Sequence, residues 1–350
     1  MRDRGTNMHE SFSLPRLDTC LREWPLGSPL EPLALARLME QLVGQGLDRL
    51  PLPGQGQTLL RWQALARVAA CDLSLCKLFE GHTDALAIMQ YWSAPLPCAD
   101  STWGMWAAES PRARVTLHAT RHSRDVRLQG LKAWCSGASI LSHGLLTAWD
   151  ADGRQRLVAV ALEQPGVHVT SDGWQAVGMA ASQSVEVVLD GAHGQLVGPA
   201  DGYLQRPGFW HGGAGIAACW HGAAQAIGQA LRQHCNARPE PHALAHLGVV
   251  ECALQASASL LRDTAQWIDQ RPATAAELPA RRLRAACEAS ATQVLEHVGR
   301  ALGATPYCRD AHLARLFADL PVYLRQSHAE RDLAVLGSLV ATHPEGGWLP

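Results

Sequence analysis

The hydrophobic period of this chain changes twice, and that change constrains its architecture more tightly than any single motif. In the first hundred residues apolar side chains recur at helical spacing, as in Leu33, Leu38, Leu42 and Val43, and again in Leu60, Ala64, Leu65 and Val68. From Thr102 the period falls to two. Val115 and Leu117 alternate with polar residues, Val126 and Leu128 do the same, and residues 157–162 form a continuous apolar run. After Tyr203 helical spacing returns in three stripes: Leu247, Val250, Leu254 and Leu261; Leu283, Cys287, Val294, Val298 and Leu302; Leu313, Leu316, Phe317 and Leu320. A period of 3.6 buries one face of a helix and a period of two buries one face of a strand. The chain therefore reads as a helical domain (1–101), a β domain (102–200) and a helical bundle (201–350).

Breakers place the joints. Residues 59–70 predict a helix, 73–79 a second one closing at Gly81 as a C-cap, and 85–92 a short third one stopped by Pro95 and Pro97. Asp150-Ala151-Asp152-Gly153 predicts a hairpin turn between strands. The run Arg206 to Gly215 is rich in glycine but has no G-K-[ST], so it is not a phosphate loop of the P-loop kind. It leads into a helix expected over 216–234, where Ala217, Ala218, Gly222, Ala223 and Ala224 permit close packing.

Composition excludes several functions. At 350 residues with a net charge of −2, the chain has room for a large core and carries no global field for nucleic acid. Only Lys77 and Lys132 are lysines. The ten cysteines contain no C-x-x-C, and scattered cysteines in a chain of this length suit a reducing compartment. His242 and His246 have the i, i+4 spacing of a helical metal pair, but with no H-E-x-x-H and no third ligand no metal is expected. Residues 1–18 are polar, without the apolar core of a signal peptide, and no uninterrupted apolar stretch approaches about 18 residues. A cytoplasmic protein with no membrane span is the expectation.

The segment most specific for chemistry is Gly130-Leu131-Lys132-Ala133-Trp134-Cys135-Ser136-Gly137-Ala138. It is followed by Gly173-Trp174-Gln175-Ala176-Val177-Gly178-Met179, then Ala181-Ser182, then the strand 184–190. This text resembles the middle domain of the acyl-CoA dehydrogenases, and the resemblance covers nearly the whole chain. It implies an N-terminal helical domain, a central β-barrel and a C-terminal helical bundle, with FAD as cofactor. Trp134 would be the aromatic wall of the flavin ring and Ser136 the hydrogen-bond donor at its edge. It also implies a homodimer or homotetramer, with a small molecule, in most members a CoA thioester, as substrate.

The departures are as informative as the matches. Trp103 to Glu109 matches a strand that in the family ends in Thr-Glu. Here Ala108 replaces the threonine, which leaves Trp106 and the Ala108 main chain as the implied flavin contacts. The Gly-Ser-Asp that usually follows is replaced by Ser110-Pro111-Arg112. The catalytic carboxylate of most members lies nine residues after the Arg of an Arg-Asp pair. Counting from Arg309-Asp310, that position is Ala318. Asp319, about 100° further around a helix, is the candidate in its place. A second base position, early on the helix after the β domain, falls at Gly212-Gly213. Of the motif that binds FAD phosphate across a subunit interface, Arg238 is the one remnant. Three functions follow: an FAD oxidoreductase acting on CH–CH bonds, a degenerate homologue serving as a binding or scaffold subunit, and a flavin-dependent monooxygenase or oxidase of the same fold.

Overall fold

The computed structural model describes residues 12–24, 31–96, 98–121, 124–342 and 348. Most of the N-terminal stretch read above for a signal peptide lies outside them, as does Pro97. Four helices come first: α1 (Leu14–Arg22), α2 (Pro32–Gly44), α3 (Thr58–Cys71) and α4 (Leu73–Tyr91). Seven strands follow: β1 (Trp103–Trp106), β2 (Val115–Ala119), β3 (Asp125–Cys135), β4 (His143–Trp149), β5 (Gln155–Ala161), β6 (Val167–Val169) and β7 (Val185–Val197). The chain closes with α5 (Gly202–Gln205), α6 (Gly208–Ala237), α7 (Pro241–Gln270), α8 (Glu277–Leu302), α9 (Thr305–Cys308), α10 (Ala311–Leu324) and α11 (Glu330–Thr342).

The strands form a closed barrel. β2, β3, β7, β5 and β4 pair in that order, and a parallel bridge between Thr116 and Trp149 joins β4 back to β2. β1 lies parallel beside β4, and β6 adds to β7. Closure leaves no long unpaired edge. The β4–β5 turn is the expected one: the Asp150 carboxylate accepts the Asp152 and Arg154 amides, and Gly153 takes φ +73°.

Two expectations need correction. Gly81 does not cap a helix. It has no left-handed backbone, and α4 runs through it as one helix whose N-cap, Asp72, accepts the Leu75 amide at 2.9 Å. Thirteen of its nineteen residues are buried, so tertiary packing overrides the glycine signal. The glycine-rich run is likewise not a loop, because α6 starts at Gly208 and takes the run as its first turns. Further along α6, a Cβ at Gly222 would overlap the Ala66 carbonyl, so glycine there lets α3 and α6 touch backbone to backbone.

α7 is long and apolar enough to cross a membrane by length and composition, with mean hydropathy 1.4 over an 18-residue window. It packs against α6 and α8 along one side, and its other side leaves Leu244 and Val249 exposed.

Candidate functional site

The barrel's functional edge is made by a defect in its longest pairing. β3 and β7 shift register once between Leu128 and Gln129 and again after Lys132 opposite Val187, where pairing resumes at Cys135 opposite Val185, so β3 carries one extra residue there. Within this bulge Trp134 takes φ +62°. A bulky residue in the left-handed region costs about 1–2 kcal/mol, and such strain gathers at functional sites. Its effect here is to turn the indole outward, 53% exposed, edge-on to Trp174 with ring centroids 6.2 Å apart.

Beside the bulge lies a row of hydroxyls. Ser136 Oγ and Ser184 Oγ are 2.6 Å apart, Ser182 Oγ stands 3.3 Å from Ser184, and Ser182 donates to the Met179 carbonyl at 2.8 Å. Met179 and Gln183 are also left-handed, at φ +58° and +40°. The loop that carries these residues and Trp174 is braced within itself once and tied to its surroundings at two points. Trp174 Nε1 donates to the Met179 carbonyl, the Gly137 amide donates to the Ser182 carbonyl, and the Met179 amide donates to Asp319 Oδ1 at 2.5 Å. On the far side of Trp174 a cavity of about 970 Å³ opens, lined by Ser139, Thr170, Gln175 and Gln183 among others.

The expected site residues fare differently. Trp134 and Ser136 share one edge, and an exposed indole above a hydroxyl row fits a flat heteroaromatic ring with a polar rim. Trp106 does not face that edge. Its indole is buried, fills the space left by Gly104 and Gly144, and donates from Nε1 to the Ser136 carbonyl at 3.2 Å, so it supports the bulge from below. Ala108 is exposed just past the end of β1. Asp319 is buried on α10 and already accepts the Met179 amide, so it is placed to hold the loop. Burial pushes its carboxyl up to about 6, against the pull of the Met179 amide and Arg315. Arg238 stands at the C-terminal end of α6, which at 30 residues is about 45 Å long. It is exposed there, and α6 begins just after the barrel, so one chain does not bring Arg238 to Trp134. His246, considered above for a metal, pairs instead with His297 of α8, Nδ1 to Nδ1 at 2.9 Å.

Two polar groups went unseen in the sequence. Lys132, buried on β3, donates to Glu109 Oε1 at 3.1 Å, to Thr147 Oγ1 at 2.7 Å and to the Thr147 carbonyl. Glu109 also accepts from Thr147 Oγ1 and Trp149 Nε1. Burial lowers the lysine despite the pull of Glu109, whereas on the glutamate the hydrogen bond from Thr147 and the Lys132 charge outweigh burial and hold it down. The second group is the polar face of α4: Lys77, Glu80 and Asp84, with Lys77 Nζ 2.9 Å from Glu80 Oε2. These three are the only Lys, Arg, Asp or Glu residues in α4, and the spacing i, i+3, i+7 stacks them on one face. That signal was present in the sequence, but ending a helix at Gly81 cut the stripe in two. Across from it, a Cβ at Gly212 would lie 2.9 Å from Asp84 Oδ1. The position read as empty on α6 therefore faces a carboxylate from α4.

No protein-family model matches the chain, and no curated protein matches it. Solved structures do. The dibenzothiophene monooxygenase TdsC from Paenibacillus sp. A11-2, in its indole-bound form, superposes with a TM-score of 0.77 at 16% identity, over 94% of this chain and 97% of TdsC. The methanesulfinate monooxygenase MsuC from Pseudomonas fluorescens gives 0.76 at 19% identity, over 96% and 99%. KijD3, in complex with FMN and a dTDP-amino-keto sugar, gives 0.74 at 20%, over 94% and 90%. The fold is acyl-CoA dehydrogenase-like. Identities this low speak for the fold alone, and function must be argued from the site.

Proposed function

We propose that this protein is a flavin-dependent monooxygenase acting on a small molecule, with the flavin ring held at the bulge of β3. The observation that carries the reading is Trp134, held left-handed and exposed beside the Ser136–Ser184–Ser182 row. The structural neighbours named as monooxygenases, and the FMN complexes of TdsC and KijD3, support it. A reduced flavin would supply the electrons that activate dioxygen for transfer of one oxygen atom to the substrate.

The chain's own residues divide the remaining work. Trp134 and Trp174 provide the apolar wall. The Ser182 proton is committed to the Met179 carbonyl, so the Ser184 proton can point to Ser182 or to Ser136. In the first arrangement Ser136 Oγ donates to Ser184 and presents a lone pair outward, and in the second its own proton is free to donate outward. One hydroxyl can thus meet a ring nitrogen with or without its proton, which a cofactor that cycles between two redox states requires. Dehydrogenation of an acyl-CoA is less well served, since position 318 is alanine and Asp319 is engaged with Met179.

We propose FMN as the flavin, because TdsC and KijD3 are each seen in complex with it. We also propose a reducing, cytoplasmic setting for the ten free thiols, and self-association through the exposed apolar side of α7, which sedimentation velocity at micromolar concentration tests. The functional test is oxygen consumption by the protein supplied with chemically reduced FMN or FAD. Flavin absorbance near 450 nm retained after desalting and ¹⁸O from O₂ in a product support the reading. A protein that takes up neither flavin overturns it.

A further inference from the structure

A cavity of about 860 Å³ lies among the helices, walled by the start of α6, by α8 and by the turn between α10 and α11. Among the described residues, none from the barrel lines it. Its volume is that of a small-molecule site, about 300–1,000 Å³. Phe209 and Trp210 supply its aromatic surface, edge to face with ring centroids 5.2 Å apart. Its cations are Arg281, Arg284 and Arg325, with His328 at the mouth of the turn.

Those cations are met unequally. Arg281 is paired with Glu277 at 2.9 Å and with Asp332 at 3.1 Å, and Arg325 with Glu288. His328 is exposed, with its Nδ1 3.9 Å from Asp332 Oδ2. Arg284, half-buried on the wall, forms no ion pair among the described residues. It donates only to main-chain carbonyls, from Nη1 to Gly213 at 2.9 Å and from Nη2 to Gln326 at 3.1 Å. Its Nε–H has no acceptor among the described residues. A carbonyl satisfies a donor but does not neutralise a charge. Behind the cavity the guanidinium closes on a junction of four helices. Trp220 of α6 has its ring centroid 4.9 Å from Cζ, and Glu80 of α4 and Tyr323 of α10 are within electrostatic reach. Lys77 Nζ is 5.8 Å from the Tyr323 ring. Burial works against the Arg284 charge, and Asp332, Glu80 and Glu288 favour it from a distance.

We infer that this cavity binds a small aromatic anion, whose charged group meets the free edge of the Arg284 guanidinium and whose ring lies along Phe209 and Trp210. A guanidinium recognises carboxylate or phosphate through parallel N–H bonds. The two carbonyls already fix the orientation of this one, so little freedom is lost when an anion arrives. Arg281 and Arg325 neutralise Asp332 and Glu288, which would otherwise repel the ligand. Ala285 and Ala289 of α8 leave room for the ring.

This inference goes beyond the monooxygenase reading and does not rest on it. Binding of 2-naphthoate, 2-naphthyl phosphate and the neutral isostere 2-naphthamide to the full chain is measured by calorimetry. At least one anion should bind about tenfold or more tighter than the amide, the margin of one charge-assisted hydrogen bond. Whichever anion leads separates a carboxylate site from a phosphate site. Arg284→Gln should reduce that anion to the affinity of the amide. Ala289→Trp fills the cavity from an exposed position of α8 and changes no charge. It should weaken all three probes, and it decides the matter if the first variant does not fold. Equal binding of anions and amide, no binding of any probe, or either folded variant binding like wild type overturns the inference. Displacement of bound FMN by the anion, read at 450 nm after desalting, makes this the cofactor's own site and also overturns it. Anion binding in a protein that takes up no flavin counts against the cofactor reading and leaves this one standing.

Discussion

The bulge of β3 and the polar face of α4 carry their energetic cost in opposite ways. The bulge stores its cost in the backbone at Trp134, and the adjoining loop is left-handed at Met179 and Gln183. The α4 face is regular helix throughout and stores its cost in desolvated charge. A site built on backbone tolerates little change of shape. A site built on charge responds to pH.

The largest expected difference between the two comes from adding one methyl group. At Gly178 a Cβ would overlap the Ala318 carbonyl and crowd Val322, so Gly178→Ala must push the loop off α10 and break the Asp319 bond to Met179. Overpacking of this kind costs about 1–3 kcal/mol or more. At Gly213, on the α6 side, a Cβ meets nothing within 4 Å, so Gly213→Ala should raise stability by about 0.5–1 kcal/mol through helix propensity. Denaturant midpoints of the two variants check this. A Gly178→Ala protein as stable as wild type would mean that the loop is not held as described.

Both regions were readable to different depths, for a physical reason. The barrel edge is made from residues close in sequence, 134–136 and 174–184, so a local resemblance placed Trp134, Ser136 and the loop together. Its backbone strain was not readable, because the bulge arises only when β3 pairs with β7. The helical junction draws Lys77, Glu80, Asp84, Gly212, Trp220, Arg284 and Tyr323 from four helices, and no local pattern announces that meeting. Arg238, read from the sequence as acting across a subunit interface, stands exposed at the C-terminal end of α6.

An intermediate effect concerns pH at the contact between α4 and α10. Asp72, the α4 N-cap, and Asp319, the anchor of the loop, are each raised to about 6, chiefly by burial. A carboxyl raised above its unfolded value near 3.9 binds its proton more tightly when folded. Its contribution is therefore fully favourable below about pH 4 and is lost as pH rises through about 6. Asp72→Asn keeps a good N-cap acceptor and removes the buried charge. It should stabilise the protein at pH 7.5 by on the order of 1–3 kcal/mol and give no advantage at pH 4. Thermal melts across that range decide, and a benefit that grows toward acid pH would reverse the assignment.

The smallest effect is the most diagnostic of strain at the bulge. In ordinary backbone an alanine is more stable than a glycine by about 0.4–1 kcal/mol, because glycine gains more freedom on unfolding. At φ +62° the order should invert. Trp134→Ala loses the edge contact with Trp174, worth about 0.5–1.5 kcal/mol, and keeps the left-handed cost. Trp134→Gly loses the same contact but sheds about 1–2 kcal/mol of strain, more than its extra unfolded freedom takes back. The glycine variant should therefore melt higher than the alanine variant, by a margin of order 1 kcal/mol or less. Both should lose flavin alike, since neither presents an aromatic wall. If alanine proves the more stable of the two, the backbone at 134 is not strained. If the glycine variant keeps its flavin, the indole is not the wall that holds it.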